Sequence, residues 1–64
     1  MKVLIMKLTK AEVIKHCREV FRENPEIFRG DAVAKREYFN DYTDMLCKDR
    51  MITTHQYNTW SNPF

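Results

Sequence analysis

The sequence predicts an all-α fold, a small three-helix bundle with a short N-terminal extension or strand, and three observations carry that prediction. Two capping boxes led by Thr stand near opposite ends of the chain, at residues 9–12 and 53–56. Apolar residues between them recur at helical spacing. The single Gly and the two Pro fall between those stripes rather than inside them, where they act as punctuation. Sixty-four residues make one domain, spanning 1–64. A chain of that size buries only about 60% of the surface that its unfolded form exposes, so a single core is marginal and help from a partner chain, a metal or a disulfide is worth considering.

The opening "MKVLIM" fits a helical plan least well. It is open to three readings: an extra helical turn, a disordered start, or a β-strand that pairs with the same strand of a second subunit through Val3, Leu4 and Ile5. Met6 could equally be the natural start. In "LTKAEV", Thr9 can cap free N–H groups, Glu12 can reach back to the cap, and Leu8 with Val13 can staple the entry. From there Val13, Ile14, Cys17, Val20 and Phe21 form one stripe, and Asn24-Pro25 ends it, giving a helix near residues 9 to 24. "PEIFRG" is then a connector with Ile27 and Phe28 tucked against the core and Gly30 turning the chain. Asp31 caps a second helix, near 31 to 49, with the stripe Ala34, Tyr38, Phe39, Tyr42, Met45 and Leu46. Its outer face carries Lys35, Arg36, Asn40, Asp44 and Lys48, the last two in the favourable i, i+4 order. "ITTHQY" repeats the first box with Thr53 and Gln56, stapled by Ile52 and Tyr57, and starts a third helix running to about Ser61 before Asn62-Pro63 stops it. Two turns are not stable alone, so Tyr57 and Trp60 are expected to anchor it on the other helices.

Composition is that of a folded chain, 44% apolar and 31% charged, with none of the bias of a disordered tail. Charge is uneven. Residues 1–36 hold nine Lys and Arg against five acids, a net +4, and residues 37–64 hold two against four, a net −2. That gradient can orient the protein on an acidic partner, but falls short of the basic stripe of a dedicated nucleic-acid binder. The apolar run at Val3 to Met6 is too short for a signal peptide or a membrane span, so a cytoplasmic protein without a membrane partner is expected. In that compartment Cys17 and Cys47 are read as small buried residues.

No catalytic order with recognisable local context is present, and one Gly cannot make a phosphate loop. His16 leaves the helix ~100° away from Cys17, so the two do not form a nucleophile and base. The chain is read as non-enzymatic, with no cofactor. Cys17, Cys47 and His55 lack any metal-knuckle spacing and are read as three unrelated side chains. "LCKDRMITTHQYNTW" can be drawn as helix, turn and capped helix, the outline of a helix-turn-helix with Thr54, His55 and Asn58 outward. No Arg or Lys lies in residues 51–64, so phosphate contacts in that alternative fall to Lys10, Arg18, Arg29, Lys35 and Arg36.

The same stretch resembles the short helical hairpins found at the ends of many bacterial and phage proteins, which implies packing or oligomerisation. More broadly, "YFNDYTDMLCKDRMITTHQYNTWSNPF" in a chain this small looks like the small accessory proteins of tailed bacteriophages. What that resemblance implies is a setting, an infected bacterial cell, in which such a protein binds and redirects a host or phage protein; it brings no site residues with it. The expectation is therefore a non-enzymatic binding protein acting as a homo-oligomer. The closing "SNPF" is similar to the tail of bacterial single-stranded DNA-binding proteins, which end in Pro-Phe and insert the terminal Phe into a basic-rimmed pocket. Phe64 would then be a partner contact. The acidic run of such tails is missing, Thr59, Trp60, Ser61 and Asn62 standing in its place, and the plainer expectation is that Phe64 folds back on Trp60 or Phe21 and finishes the core.

Overall fold

Thr9 opens the first helix with both halves of its box in place. The Glu12 N–H donates to Thr9 Oγ1 at 3.2 Å and the Thr9 N–H donates to Glu12 Oε1 at 2.8 Å. The computed structural model describes residues 7–64 and, among them, four helices and no strand. In order these are α1 (Lys10–Glu23), α2 (Pro25–Phe28), α3 (Ala32–Lys48) and α4 (Thr54–Thr59). Val3, Leu4 and Ile5, on which the expected strand and subunit pairing rest, lie outside the described residues.

α3 and α4, like α1, begin where a cap residue places them. Asp31 accepts from the Ala34 N–H at 2.9 Å to start α3, and Thr53 with Gln56 closes a second reciprocal box at 3.0 and 2.7 Å to start α4. α3 ends in a Schellman motif, with Met51 N–H on the Leu46 carbonyl at 2.8 Å and Arg50 N–H on the Cys47 carbonyl at 3.1 Å. Arg50 takes the left-handed conformation that this motif needs, at φ 62. Gly30, at φ 72, does the same between α2 and α3, where a side chain would be strained.

Val13, Cys17 and Phe21 from α1, Phe28 from α2, Phe39 and Leu46 from α3, and Ile52 from the turn before α4 form the buried core. Leu8, Ile14, Val20, Ala34, Tyr38, Tyr42, Cys47, Trp60 and Phe64 are partly buried against it. Thr43 is buried as well, its Oγ1 donating to the carbonyls of Phe39 and Asn40 at 2.9 and 3.1 Å, so it adds no unpaired polar group to the core.

Five expectations are corrected. The connector after Asn24 is a single helical turn, α2, because Pro25 supplies the fixed φ that suits a first helical position. Ile27 is 55% exposed rather than tucked in. Adjacent helical residues diverge by ~100°, and Phe28 takes the inward seat, 4.7 Å from the ring of Phe21. Met45 is 48% exposed for the same reason, its neighbour Leu46 holding the core position. Tyr57 is 39% exposed and does not anchor the last helix. That helix ends at Thr59, short of Ser61, and Trp60 already has extended dihedrals, so the anchors are Ile52 ahead of α4 and Trp60 behind it.

The two boxes meet. Gln56 Nε2 donates to the Leu8 carbonyl at 3.1 Å, while the Leu8 N–H donates to the Met51 carbonyl at 2.9 Å. Lys7 Nζ reaches the Arg50 carbonyl beside them. Gln56→Glu keeps the acceptor for Thr53 but removes the donor to Leu8 and turns a carboxylate oxygen toward that carbonyl. A loss of about 1–2 kcal/mol is expected, read by urea unfolding. Unchanged stability would show that the clamp contributes nothing.

Candidate protein-docking surfaces

Three surfaces stand out once the core is in place. Along the outer flank of α1, Ala11, Ile14, Lys15, Arg18, Glu19 and Arg22 line a groove of about 460 Å³. These positions sit on consecutive helical turns, with Ala11 and Ile14 forming an apolar floor and three cations facing one acid along the walls. Among the described residues the one ion pair is Asp44 with Lys48, at 3.0 Å on α3, so the α1 cations are not neutralised there.

On the other flank of α1, His16 meets α3. Its ring stacks on Tyr42 with centroids 4.6 Å apart, and Nε2 lies 3.2 Å from the Tyr38 hydroxyl. Tyr38 and Tyr42 stack in turn at 5.9 Å. Burial, and secondarily the charge that Cys17 would carry if ionised, pushes both phenols above their ordinary range. Tyr38, Asp41, Tyr42 and Met45 line a mainly apolar groove of about 310 Å³ at this seam. A third crevice, about 270 Å³, lies between α3 and α4 and is lined by Asn40, Thr43, Tyr57, Asn58 and Trp60 over Phe39.

The five cations of the nucleic-acid alternative are not used together. Lys10 Nζ donates to Ser61 Oγ at 3.2 Å. Arg18 lines the α1 groove, and Arg29 is exposed at the end of α2. Lys35 is half-buried with Nζ 5.9 Å from the Phe21 ring centroid, and Arg36 Nη1 donates to the Phe64 carbonyl at 3.4 Å. α4, the helix that would read bases, has six residues and none is Lys or Arg. Thr54, His55 and Asn58 on it are exposed.

Phe64 folds back onto the core. Its ring meets Phe21 edge-on at 4.9 Å and Phe39 at 5.9 Å. Asn62 sets this up: Nδ2 donates to the Arg36 carbonyl at 3.1 Å and to Asn40 Oδ1 at 3.0 Å, while Oδ1 accepts from the Phe64 N–H at 3.0 Å. Of the two roles weighed for this residue, packing on Phe21 is the one the geometry displays. Phe64→Ala should lower the unfolding free energy by about 2 kcal/mol, a fraction of a fully buried Phe because the ring is only half-buried. An unaltered melting temperature would refute that contact.

Cys17 is fully buried and burial pushes its thiol from the ordinary 9.0 up to about 11, so it stays protonated at neutral pH. Cys47 is half-buried on α3, and both thiols are free. Among the described residues no group of three or more His, Cys, Asp or Glu is placed to hold a metal. Nor is any described helix long and apolar enough to cross a membrane. Because the folded thiol titrates above the unfolded one, stability is intact below pH 9 and falls as pH rises from about 9 through 11. Cys17→Val should flatten that alkaline slope. In native protein an aromatic disulfide reagent should label Cys47 first and Cys17 only on unfolding; equal rates would contradict this placement.

Sequence reasoning placed His16 off the core stripe but did not find its partners, which come from α3, nor the α1 groove. The only signal for the groove was a second, weaker apolar run, Ala11 and Ile14, beside Lys15 and Arg18. Comparison of the chain with protein-family models, curated proteins and solved structures gives no match.

Proposed function

We propose that this protein is a non-enzymatic binding module, a three-helix bundle of α1, α3 and α4 that docks on a host or phage protein in a bacterial cell and modulates it, working as a homo-oligomer. The observation that carries this is the α3 seam, where Met45 stands 48% exposed beside the groove formed with Tyr38, Asp41 and Tyr42. An unbranched, polarizable side chain flanked by half-buried aromatics is the composition of an interface centre. Further exposed apolar residues, Val33 at 56% and Ile27 at 55%, show that the small core leaves apolar surface over. Single exposed apolar side chains are ordinary; the grouping at the seam is what argues for a partner. The resemblance of residues 38–64 to small phage accessory proteins supports the cellular setting.

The test is affinity capture from bacterial lysate with and without nuclease, followed by reconstitution of the captured complex from purified components. A protein partner that survives nuclease and loses at least tenfold affinity with Met45→Arg is the expected outcome. If nuclease abolishes capture, and a salt-sensitive gel shift disappears with Arg18→Ala and Arg29→Ala, the protein is a nucleic-acid binder instead.

A further inference from the structure

Ala11, Ile14, Lys15 and Arg18 stand at i, i+3, i+4 and i+7 on α1. Four residues in that pattern are the hole of a knobs-into-holes contact, and the smallest, Ala11, opens it. Met45 is an exposed knob on α3, with Tyr38, Asp41 and Tyr42 at the preceding positions i−7, i−4 and i−3 of the same helix. We infer that a second copy of this chain is the occupant of the α1 groove, its Met45 seated in the hole of Ala11, Ile14, Lys15 and Arg18 and its Asp41 among the cations of α1.

Charge selects the direction. Asp41 lies one turn toward the N-terminus of α3 from Met45. With the helices antiparallel, that turn falls over the next hole on α1, Lys15, Arg18, Glu19 and Arg22, which presents three cations and one acid. With the helices parallel it falls back toward Lys7 and Lys10, whose ammonium groups are already engaged within the chain by the Arg50 carbonyl and Ser61 Oγ. The antiparallel arrangement therefore pairs the single acid of one groove with the cation cluster of the other. Tyr42 then offers its ring to an Arg18 or Arg22 guanidinium, the side chain best suited to stack there.

The two surfaces belong to opposite flanks of the protein. Taking Cys17 as the inward direction of α1, Arg18 lies ~100° to one side and His16 ~100° to the other, and it is His16 that stacks on Tyr42. One copy thus cannot satisfy its own groove, and each contact leaves one hole and one knob free. The pairing is head-to-tail, which extends into a ring or a filament rather than stopping at a two-fold dimer. This inference rests on the proposed function only for its expectation of self-association.

The experiment uses two variants of the full chain. Ala11→Arg fills the hole and Met45→Arg replaces the knob with a charge that the α1 cations repel; both sites are exposed and Arg is a good helix former, so far-UV circular dichroism should be unchanged. In sedimentation velocity the wild type should grow past a dimer with concentration, and grow less at high salt. Each variant alone should be monomeric, and an equimolar mixture should give a single 1:1 pair, since one intact hole meets one intact knob and nothing remains to extend. Independently of the variants, dilution of wild-type protein should shift amide resonances of α1 residues 11–18 and α3 residues 38–45 with one common midpoint. A wild type that stays monomeric, variants that associate as the wild type does, a mixture without the 1:1 pair, or dilution shifts elsewhere each overturn the inference. A monomeric wild type overturns this inference together with the homo-oligomer part of the proposed function, and leaves its other part, capture of a different protein, to be decided by the lysate experiment.

Discussion

The fold hangs on what happens to the backbone of one residue, Leu8. Its N–H donates to Met51 and its carbonyl accepts from Gln56, so both polar groups of the residue that leads into α1 are satisfied by α4 and the turn before it. Gln56 meanwhile keeps its own box with Thr53. A six-residue helix has too few internal hydrogen bonds to offset its nucleation. Here it is started by a cap, tied by the same side chain to the far end of the chain, and flanked by a fully buried Ile52 and a half-buried Trp60. Ordering the short helix and ordering the entry to the first one become a single event.

The rest of the core is arranged around that closure with few polar exceptions. Aromatic rings fill the end away from it: Phe21 touches Phe28, Tyr38 and Phe64 with centroids between 4.7 and 5.7 Å. Edge-on and tilted contacts of this kind add to simple burial. The Phe64 contact depends on Asn62, whose side chain bonds α3 with one end and the Phe64 backbone with the other. Both ends of the described chain are thus fastened by side-chain amides, Gln56 at one and Asn62 at the other. In a domain with a small core, such bonds add constraint where apolar area is limited.

Surface chemistry follows from the same geometry. α1 turns Cys17 inward, so its two flanks are free to differ: one carries His16 against the tyrosines of α3, the other an apolar floor walled by Lys15, Arg18 and Arg22. α3 is divided likewise, with Lys35 and Arg36 drawn onto Phe21 and Phe64, and Asp41 and Met45 left outward on its other flank. The chain's charge gradient becomes a difference between faces. That difference is the physical basis for reading the protein as one that associates with other chains.

Local signals alone determined where the helices begin. Thr9, Asp31 and Thr53 act on donors no more than three residues away, and a stripe such as Val13, Cys17 and Phe21 is periodic whatever it packs against. Which member of an adjacent apolar pair faces inward was legible only in part. Phe28 displaced Ile27, Leu46 displaced Met45, and Ile52 left Tyr57 outside, because each choice depends on the space the other helices leave. The same holds for the surfaces. Lys35 and Arg36 looked like free cations until Phe21 and Phe64 came to lie beside them, and His16 looked isolated until α3 brought Tyr38 and Tyr42 within reach. Those contacts join residues 14 to 28 positions apart, and only tertiary packing, not the spacing within any one helix, could bring them together.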